Sequence, residues 1–489
     1  MTGLLIAGTS SDAGKSLITA GLCRLLHRRG VRVAPFKAQN MSNNSMVCSD
    51  GSEIGRAQYL QAIAAGLEPS SAMNPVLLKP GTDRRSFIVL RGEPAGTLEA
   101  GQYATGRAHL AEAAFAAYTE LAARYDLVLC EGAGSPAEIN LRAGDYVNFG
   151  LARQFGLPVV LCGDIDRGGV LASIYGHWAI ADEPDRDRLA GYLINKFRGD
   201  QSVLHPGLAE LTRRTGLPCL GVVPWLPEVW LDGEDALAFA NWPRIPGRTG
   251  TLRIAAIRFP RISNATDLDA LAAEPGVDVV ATTRVAEVAE ADLVVLPGSR
   301  STLADLAWLR ERGLADALVA RAAAGRPILG ICGGYQMLAR SIDDPVESSA
   351  GMASGLGLLP TQVSFGAAKV LARPSGGWRG HPVTGYEIHH GVVTADGGEP
   401  FLDGVRQGNT WGTIWHGTFE NDAFRRAWLS ELATTVGSTW TPAADARGFA
   451  ARREHMLDSL ADALQSCLDV EGLLALADFR WSSLSRPRI

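Results

Sequence analysis

The 489-residue sequence has no basic block, no long apolar run and no paired cysteines. Each absence removes a class of function. The formal charge is −6 with Lys and Arg dispersed, which argues against nucleic acid as a main partner. No apolar stretch approaches the ~20 residues that a membrane helix needs. The start is apolar from Leu4 to Ala7 but meets Asp12 and Lys15 at once, unlike a secretory signal. The seven cysteines (Cys23, Cys48, Cys130, Cys162, Cys219, Cys332 and Cys467) show no CxxC spacing. Neither a zinc site nor a disulfide framework follows, and a reducing cytoplasm is the expected setting.

What is present is an alternation of short apolar runs and helical patterns. Residues 4–7, 31–34, 127–129, 159–161, 192–194 and 220–223 read as strands. Continuous apolar runs separated by helices imply an α/β fold with a parallel sheet covered on both faces. Residues 234–250 hold two Pro and two Gly in Asn241-Trp242-Pro243-Arg244-Ile245-Pro246-Gly247-Arg248-Thr249-Gly250 without periodicity, so they read as a linker. Strands restart at 254–257, 279–280, 293–296, 328–331 and 413–415. The expected organisation is a first unit over 1–233, the linker, a second α/β unit over 251–434 and a helical tail over 435–489. Leu460, Leu464 and Leu468 give the tail an apolar face, expected to dock on the second unit.

Gly8-Thr9-Ser10-Ser11-Asp12-Ala13-Gly14-Lys15-Ser16 follows a strand and opens a helix. That is the setting of a phosphate-binding loop, although five residues rather than four separate Gly8 from Gly14. Small residues let backbone N–H groups turn inward, and the helix N-terminus adds positive potential. Lys15 would reach the terminal phosphates and the Ser16 hydroxyl would hold Mg²⁺. Lys37 follows the second strand and points to the crevice where α/β proteins bind ligands. Glu131, in Cys130-Glu131-Gly132-Ala133-Gly134-Ser135, can serve magnesium. Asp164 and Asp166 sit at another strand end.

The second unit carries Gly330-Ile331-Cys332-Gly333-Gly334-Tyr335-Gln336. A strand ends at Cys332 and a helix starts beyond it, the layout of a nucleophile elbow with Cys in place of Ser. The helix N-terminus favours thiolate. His416, at another strand end, is the candidate partner base. Backbone N–H groups at Gly298 and Gly333 would form the oxyanion hole.

These residues carry a resemblance. The second unit resembles a class I glutamine amidotransferase domain, which releases ammonia through a Cys–His pair. The first resembles the dethiobiotin-synthetase type of P-loop NTPase-like domain, with its lengthened loop and second lysine. Fused in this order, they resemble the cobyrinate amidases of cobalamin biosynthesis over residues 1 to about 430. The matching stretches include Pro35-Phe36-Lys37-Ala38-Gln39-Asn40-Met41-Ser42, Glu53-Ile54-Gly55-Arg56-Ala57-Gln58, Glu131-Gly132-Ala133-Gly134-Ser135-Pro136-Ala137-Glu138-Ile139-Asn140, Ile194-Asn195-Lys196-Phe197-Arg198-Gly199-Asp200 and Gly385-Tyr386-Glu387-Ile388-His389.

The resemblance implies a glutamine-hydrolysing carbon–nitrogen ligase. Its partners would be ATP, Mg²⁺, glutamine and a corrinoid a,c-diamide, cobalt-containing or the cobalt-free hydrogenobyrinate equivalent. The b, d, e and g carboxylates would become amides through acyl phosphates. The Pro35–Ser42 and Ile194–Asp200 stretches favour this branch over the sibling that amidates the a and c carboxylates. A phosphate-loop switch of the partitioning-ATPase kind is the rival from another class, but those carry a second lysine early in the loop, where Thr9, Ser10 and Ser11 stand here. By resemblance, Asn195 would read the purine, beside the Val223-Pro224-Trp225 turn. Asn40, Ser42, Asn43 and Arg56 would face the corrin, and Asp50 or Glu53 would be a further magnesium ligand. Self-association is left open.

Two departures stand out. Class I glutaminase domains usually carry a Glu two positions after the His, where this chain has Thr418. A backbone carbonyl or Glu387 would then orient His416. Residues 343–354 look unlike the resembling loops and are expected to be a flexible insertion without catalytic meaning.

Overall fold

The computed structural model describes residues 2–81, 85–99, 107–227, 229–230, 245, 247, 250–348 and 351–479. The expected linker, residues 234–250, therefore lies outside the described residues except at 245, 247 and 250.

The first unit is built on a six-stranded parallel sheet. Its order is Cys219–Pro224, Leu189–Phe197, Val159–Asp164, Gly3–Gly8, Leu127–Glu131, Val33–Phe36. The strands are apolar on both sides because both sides are covered. Along the first, Leu5 and Ala7 enter one core while Leu4 and Ile6 enter the other. The phosphate-loop strand is central, so its loop opens at the C-terminal edge between the ends of two neighbours. The second strand starts later than the apolar run suggested, because the Val31 N–H still closes the preceding helix on the Leu26 carbonyl (3.0 Å).

The second unit holds a seven-stranded sheet. Its order is Val277–Thr282, Leu252–Ile257, Leu293–Leu296, Ile328–Ile331, Thr410–Thr413, Gly404–Gln407, Glu399–Phe401, with the last two antiparallel. The strand expected at 413–415 ends instead at Thr413. There Asp403 accepts the Ile414 N–H (3.0 Å) and draws the chain off the sheet. His416 thus sits on the exit from the strand. Each unit also carries a smaller sheet with no strand assigned from sequence. One comprises Gln39–Met41, Val76–Pro80, Arg85–Leu90 and Glu93–Glu99. The other comprises Ser341–Asp344, Gly351–Ser354, Thr361–Ala372 and Glu387–Ala395.

Two expectations are corrected here. Of the expected flexible insertion at 343–354, residues 343–344 and 351–354 belong to paired antiparallel strands, with Ile342 opposite Ala353. Asp344 accepts the backbone N–H groups of Val346, Glu347 and Ser348, which rigidifies its turn. The helical tail leaves the second unit. Trp440 and Phe449 still pack there, but Met456, Leu457, Leu460 and Leu464 join the core of the first unit. Helix Phe449–Cys467 lies along helix Lys15–Arg28, where Gly21 allows the contact: a Cβ on it would meet Leu464 at 2.4 Å. Arg24 pairs with Glu454 and Asp458, each at 2.8 Å. Apolar spacing showed that the tail has a buried face; it carried no information on which unit supplies the opposite face.

Leu460→Ala should therefore destabilise the first unit by about 2–5 kcal/mol. Hydrogen exchange should rise in helix Lys15–Arg28 and not in the strands of the second sheet; the reverse pattern would refute the docking.

Candidate active sites

In the first unit the loop carbonyls are tied outward. Lys15 Nζ donates to the carbonyls of Ser10 (3.0 Å) and Ser11 (2.8 Å). Lys196 Nζ donates to the Asp12 carbonyl (2.7 Å), and Asn195 Nδ2 to the Ala13 carbonyl (2.9 Å). Tying those carbonyls down holds the loop in one conformation, while its Thr9 N–H donates to the Cys162 carbonyl (3.0 Å). Gly14 has φ 95°, and a Cβ there would lie 2.0 Å from Asn195 Nδ2, so the position takes only glycine. The Asn195 amide thus braces the loop and is buried. Trp225 is exposed at the next strand end, with the Arg198 guanidinium 4.0 Å from its ring centre. Asp164 pairs with Lys196 (2.7 Å) and Asp166 with Arg198 (3.2 Å).

Glu131 is the centre of this site. Ser16 Oγ (2.7 Å) and Lys37 Nζ (2.9 Å) donate to its Oε1, and Gln61 Nε2 to its Oε2 (2.6 Å). Burial opposes its charge, but Lys37, Gln61 and Lys15 outweigh burial and hold it below the usual carboxylate range. Two hard oxygen donors, Ser16 Oγ and the Glu131 carboxylate, lie side by side, which suits magnesium completed by phosphate and water oxygens. The two further candidate ligands have partners of their own. The Asp50 carboxylate caps the Ser52 N–H (2.9 Å) in a turn, and Glu53 is fully buried between Lys79 (2.5 Å) and Lys369.

Beyond the loop opens a cleft of about 320 Å³. Ser11, Lys15, Lys37, Asn40, Arg107 and Arg142 line it, with Ser135, Glu138 and Asp145. Of the four residues expected to face a corrin, only Asn40 is there, its amide donating to Gln58 Oε1 (3.0 Å). Ser42 accepts the Asn44 N–H (3.0 Å) in a turn, and Asn43 donates to the Pro80 carbonyl (3.3 Å). Arg56 pairs with Glu420 of the second unit (2.8 Å). Arg107 and Arg142 were not anticipated, because they come from segments remote from the loop.

The second site forms around Cys332. The residue has φ 49° and ψ −111°, a strained elbow at the start of helix Gly333–Met337. The chain at Gly298–Ser299 passes directly against it. A Cβ on Gly333 would lie 2.7 Å from Ser299 N, and one on Gly298 would lie 3.0 Å from His416 Cε1. Gly298 thus lies against His416, and Gly333, next to Cys332, lies against Ser299.

What orients His416 is a residue absent from the sequence reading. Its Nδ1 is 2.7 Å from Asp267 Oδ2, and both side chains are buried. Asp267 Oδ1 also accepts the Gly417 N–H (2.7 Å), and Tyr386 stacks on the ring at 5.2 Å. Glu387 instead faces His389, 3.6 Å away. Thr418 is buried beside the histidine loop and carries no carboxylate. Burial disfavours charge on His416, but Asp267 and Cys332 overcome it and push its pKa up to about 10. Its Nε2 is buried and has no hydrogen-bond partner among the described residues. A small pocket here also contains Asn264, Arg300, Gln336 and Glu347, and two lysines, Lys79 and Lys369, from opposite units. Glu347, in the hairpin expected to lack catalytic meaning, thus lines the thiol pocket and pairs with Arg300.

Asp267→Asn should lower glutamine hydrolysis about 10²–10⁴-fold, measured as glutamate released. The folded pKa of His416 lies above its ordinary 6.5. The pair's stabilisation is then complete below about pH 6.5 and is lost as pH rises through about 10. The urea-midpoint gap between the wild type and Asp267→Asn should close over that window.

The two sites can be set against known proteins. Residues 4–237 match the CobQ/CobB/MinD/ParA nucleotide binding domain family, and residues 253–424 the CobB/CobQ-like glutamine amidotransferase domain family. The cobyric acid synthase of Cutibacterium acnes is 63% identical, over 97% of this chain and 100% of its own. That of Mycolicibacterium gilvum is 56% identical, over 98% of this chain and 97% of its own. A solved glutamine amidotransferase aligns with 38% of this chain and 98% of its own at 15% identity and TM-score 0.30. With more than half its residues identical over nearly full length, the chain belongs to the cobyric acid synthase family.

Proposed function

We propose that the chain converts the b, d, e and g carboxylates of a corrinoid a,c-diamide to amides, yielding cobyric acid, with ATP and glutamine consumed at each step. The observation that carries this reading is the pairing, in one chain, of a braced phosphate loop beside Glu131 and Lys37 with a Cys332–His416–Asp267 arrangement. One site energises an acid and the other supplies nitrogen.

A carboxylate is a poor acyl donor because oxide is a poor leaving group. Phosphorylation by ATP gives an acyl phosphate that ammonia can attack. Two anions must meet for this, and Lys15 and Lys37 offset the charge where they do. Magnesium, held by Ser16 and Glu131, would neutralise phosphate oxygens. The corrinoid side chains enter the cleft lined by Asn40, Arg107 and Arg142, whose cations favour carboxylates.

At the second site the Cys332 sulfur attacks the glutamine carboxamide carbon. The Gly298 and Gly333 N–H groups hold the oxyanion, and protonated His416 hands its proton to the departing ammonia. Water then hydrolyses the thioester. Asp267 keeps the ring turned so that Nε2 faces the reaction. Because ammonia is mostly protonated in neutral water, release inside the molecule preserves its nucleophilicity. No described helix is long and apolar enough to cross a membrane. A cytoplasmic setting fits seven free cysteines.

Cys332→Ala should abolish glutamine-dependent amidation while ammonium-dependent amidation persists, read by mass spectrometry of the a,c-diamide products. Lys15→Ala should remove both. Product from cobyrinic acid but none from its a,c-diamide would overturn the substrate assignment.

A further inference from the structure

We propose that Ser135 and His177 form a proton-accepting dyad in the synthetase cleft, which takes the proton from the nitrogen as the new amide bond forms. The proposal rests on the acyl-phosphate reading above and assigns a role to two residues that reading leaves unused.

The hydrogen bonds settle which atoms carry protons. His177 lies in helix Val170–Ile180, and its Nδ1 is 2.7 Å from the Ser173 carbonyl oxygen. A carbonyl only accepts, so Nδ1 carries the hydrogen and Nε2 keeps its lone pair. Nε2 is 2.7 Å from Ser135 Oγ, so the serine hydroxyl donates to it. The imidazole is buried, and burial holds its pKa below 6.5 against the opposing pull of the Ser173 carbonyl and Glu138. The ring is therefore neutral and able to accept a proton. Ser135 Oγ also receives the Ala137 N–H (3.2 Å), which leaves one lone pair. Ser135 lines the cleft beside Lys15 and Lys37, four residues beyond Glu131. Its loop is pinned by Asn148, which donates to the Ala133 carbonyl (2.8 Å).

A purely structural serine cap would not need a buried neutral imidazole with its tautomer locked. The arrangement suits the step after phosphorylation. The ammonia lone pair forms the C–N bond as the carbonyl π pair moves onto oxygen, to return when phosphate leaves, and the nitrogen is left positive. One N–H bond then breaks and its proton passes to Ser135 Oγ, as the serine proton moves to His177 Nε2. The C–O bond to phosphate breaks, and phosphate departs with the electron pair. His177 returns its proton through Ser135 to the departing phosphate, so the dyad is restored. Ser135 is the catalytic residue here, and His177 is a positioning and proton-storing residue that acts through it.

The test separates activation from amide formation. Wild type, Ser135→Ala, Ser135→Thr and His177→Gln are given ATP labelled with ¹⁸O in the β–γ bridge, together with the a,c-diamide. Scrambling of label into the β non-bridging positions reports reversible acyl-phosphate formation. Amide formation is followed separately with saturating ammonium. The dyad predicts that in Ser135→Ala and His177→Gln amide formation falls about 10²-fold further than label scrambling does. Ser135→Thr, which keeps the hydroxyl, should stay within about threefold of wild type for both. Parallel loss of scrambling and amide formation in Ser135→Ala and His177→Gln would reduce the pair to a structural clasp and overturn the proposal. Unchanged amide formation would overturn it equally. A wild type that makes amide without scrambling label would count against the acyl-phosphate reading itself and take the dyad with it.

Discussion

A carboxylate taken out of water must be met by a cation and hydrogen bonds, since removing one partner leaves an uncompensated charge costing several kcal/mol. The architecture is organised around carboxylates satisfied in this way. Glu131 is met by Lys37, Ser16 and Gln61 at the phosphate loop. Asp267 is met by His416 at the thiol site. Glu53 lies between Lys79 of its own unit and Lys369 of the other. Glu420, 26% exposed, is held to about pKa 2 because Arg56 and Arg453 outweigh its burial. The first two build the reaction sites and the last two join the units.

The joining pairs converge on one short stretch. Between Glu53 and Gln61 the chain passes from the thiol pocket to the phosphate loop. Glu53 binds the lysines that line the first, Arg56 grips the loop that follows His416, Gln58 holds Asn40 in the cleft, and Gln61 supports Glu131. Nearby, Ser45 donates its N–H to Asn264 Oδ1 (2.9 Å) across the same seam. The nitrogen-releasing and carboxylate-activating sites are thus held by one continuous piece of backbone rather than by a flexible tether. The tail adds a second tie, because Arg453 reaches Glu420 while Met456, Leu457, Leu460 and Leu464 of its helix pack in the core of the first unit.

Much of this was legible in residue order. The apolar strands, the phosphate loop and the Cys332 elbow are local features whose chemistry depends on neighbours in sequence. The less legible features are polar and non-local. Gln39–Met41 is a three-residue strand with no apolar alternation, and it exists because Val76–Pro80 pairs with it. Arg56 reads as a substrate contact from its motif, yet its guanidinium faces Glu420, which lies 364 residues away in the chain. Asp267 carries no motif, and only the return of its segment to the end of strand Thr410–Thr413 gives it a role.

The sequence by itself determined the two α/β units, the chemistry each performs, and the loop and elbow that perform it, because strand periodicity, glycine placement and helix N-termini act over a few residues. Tertiary structure alone decided which carboxylate orients His416, which unit the tail covers, where Asn195 directs its amide, and that Ser135 meets His177. Each of these is a contact between segments distant along the chain. Its partner is chosen by burial and charge pairing in three dimensions, which spacing along one segment does not encode.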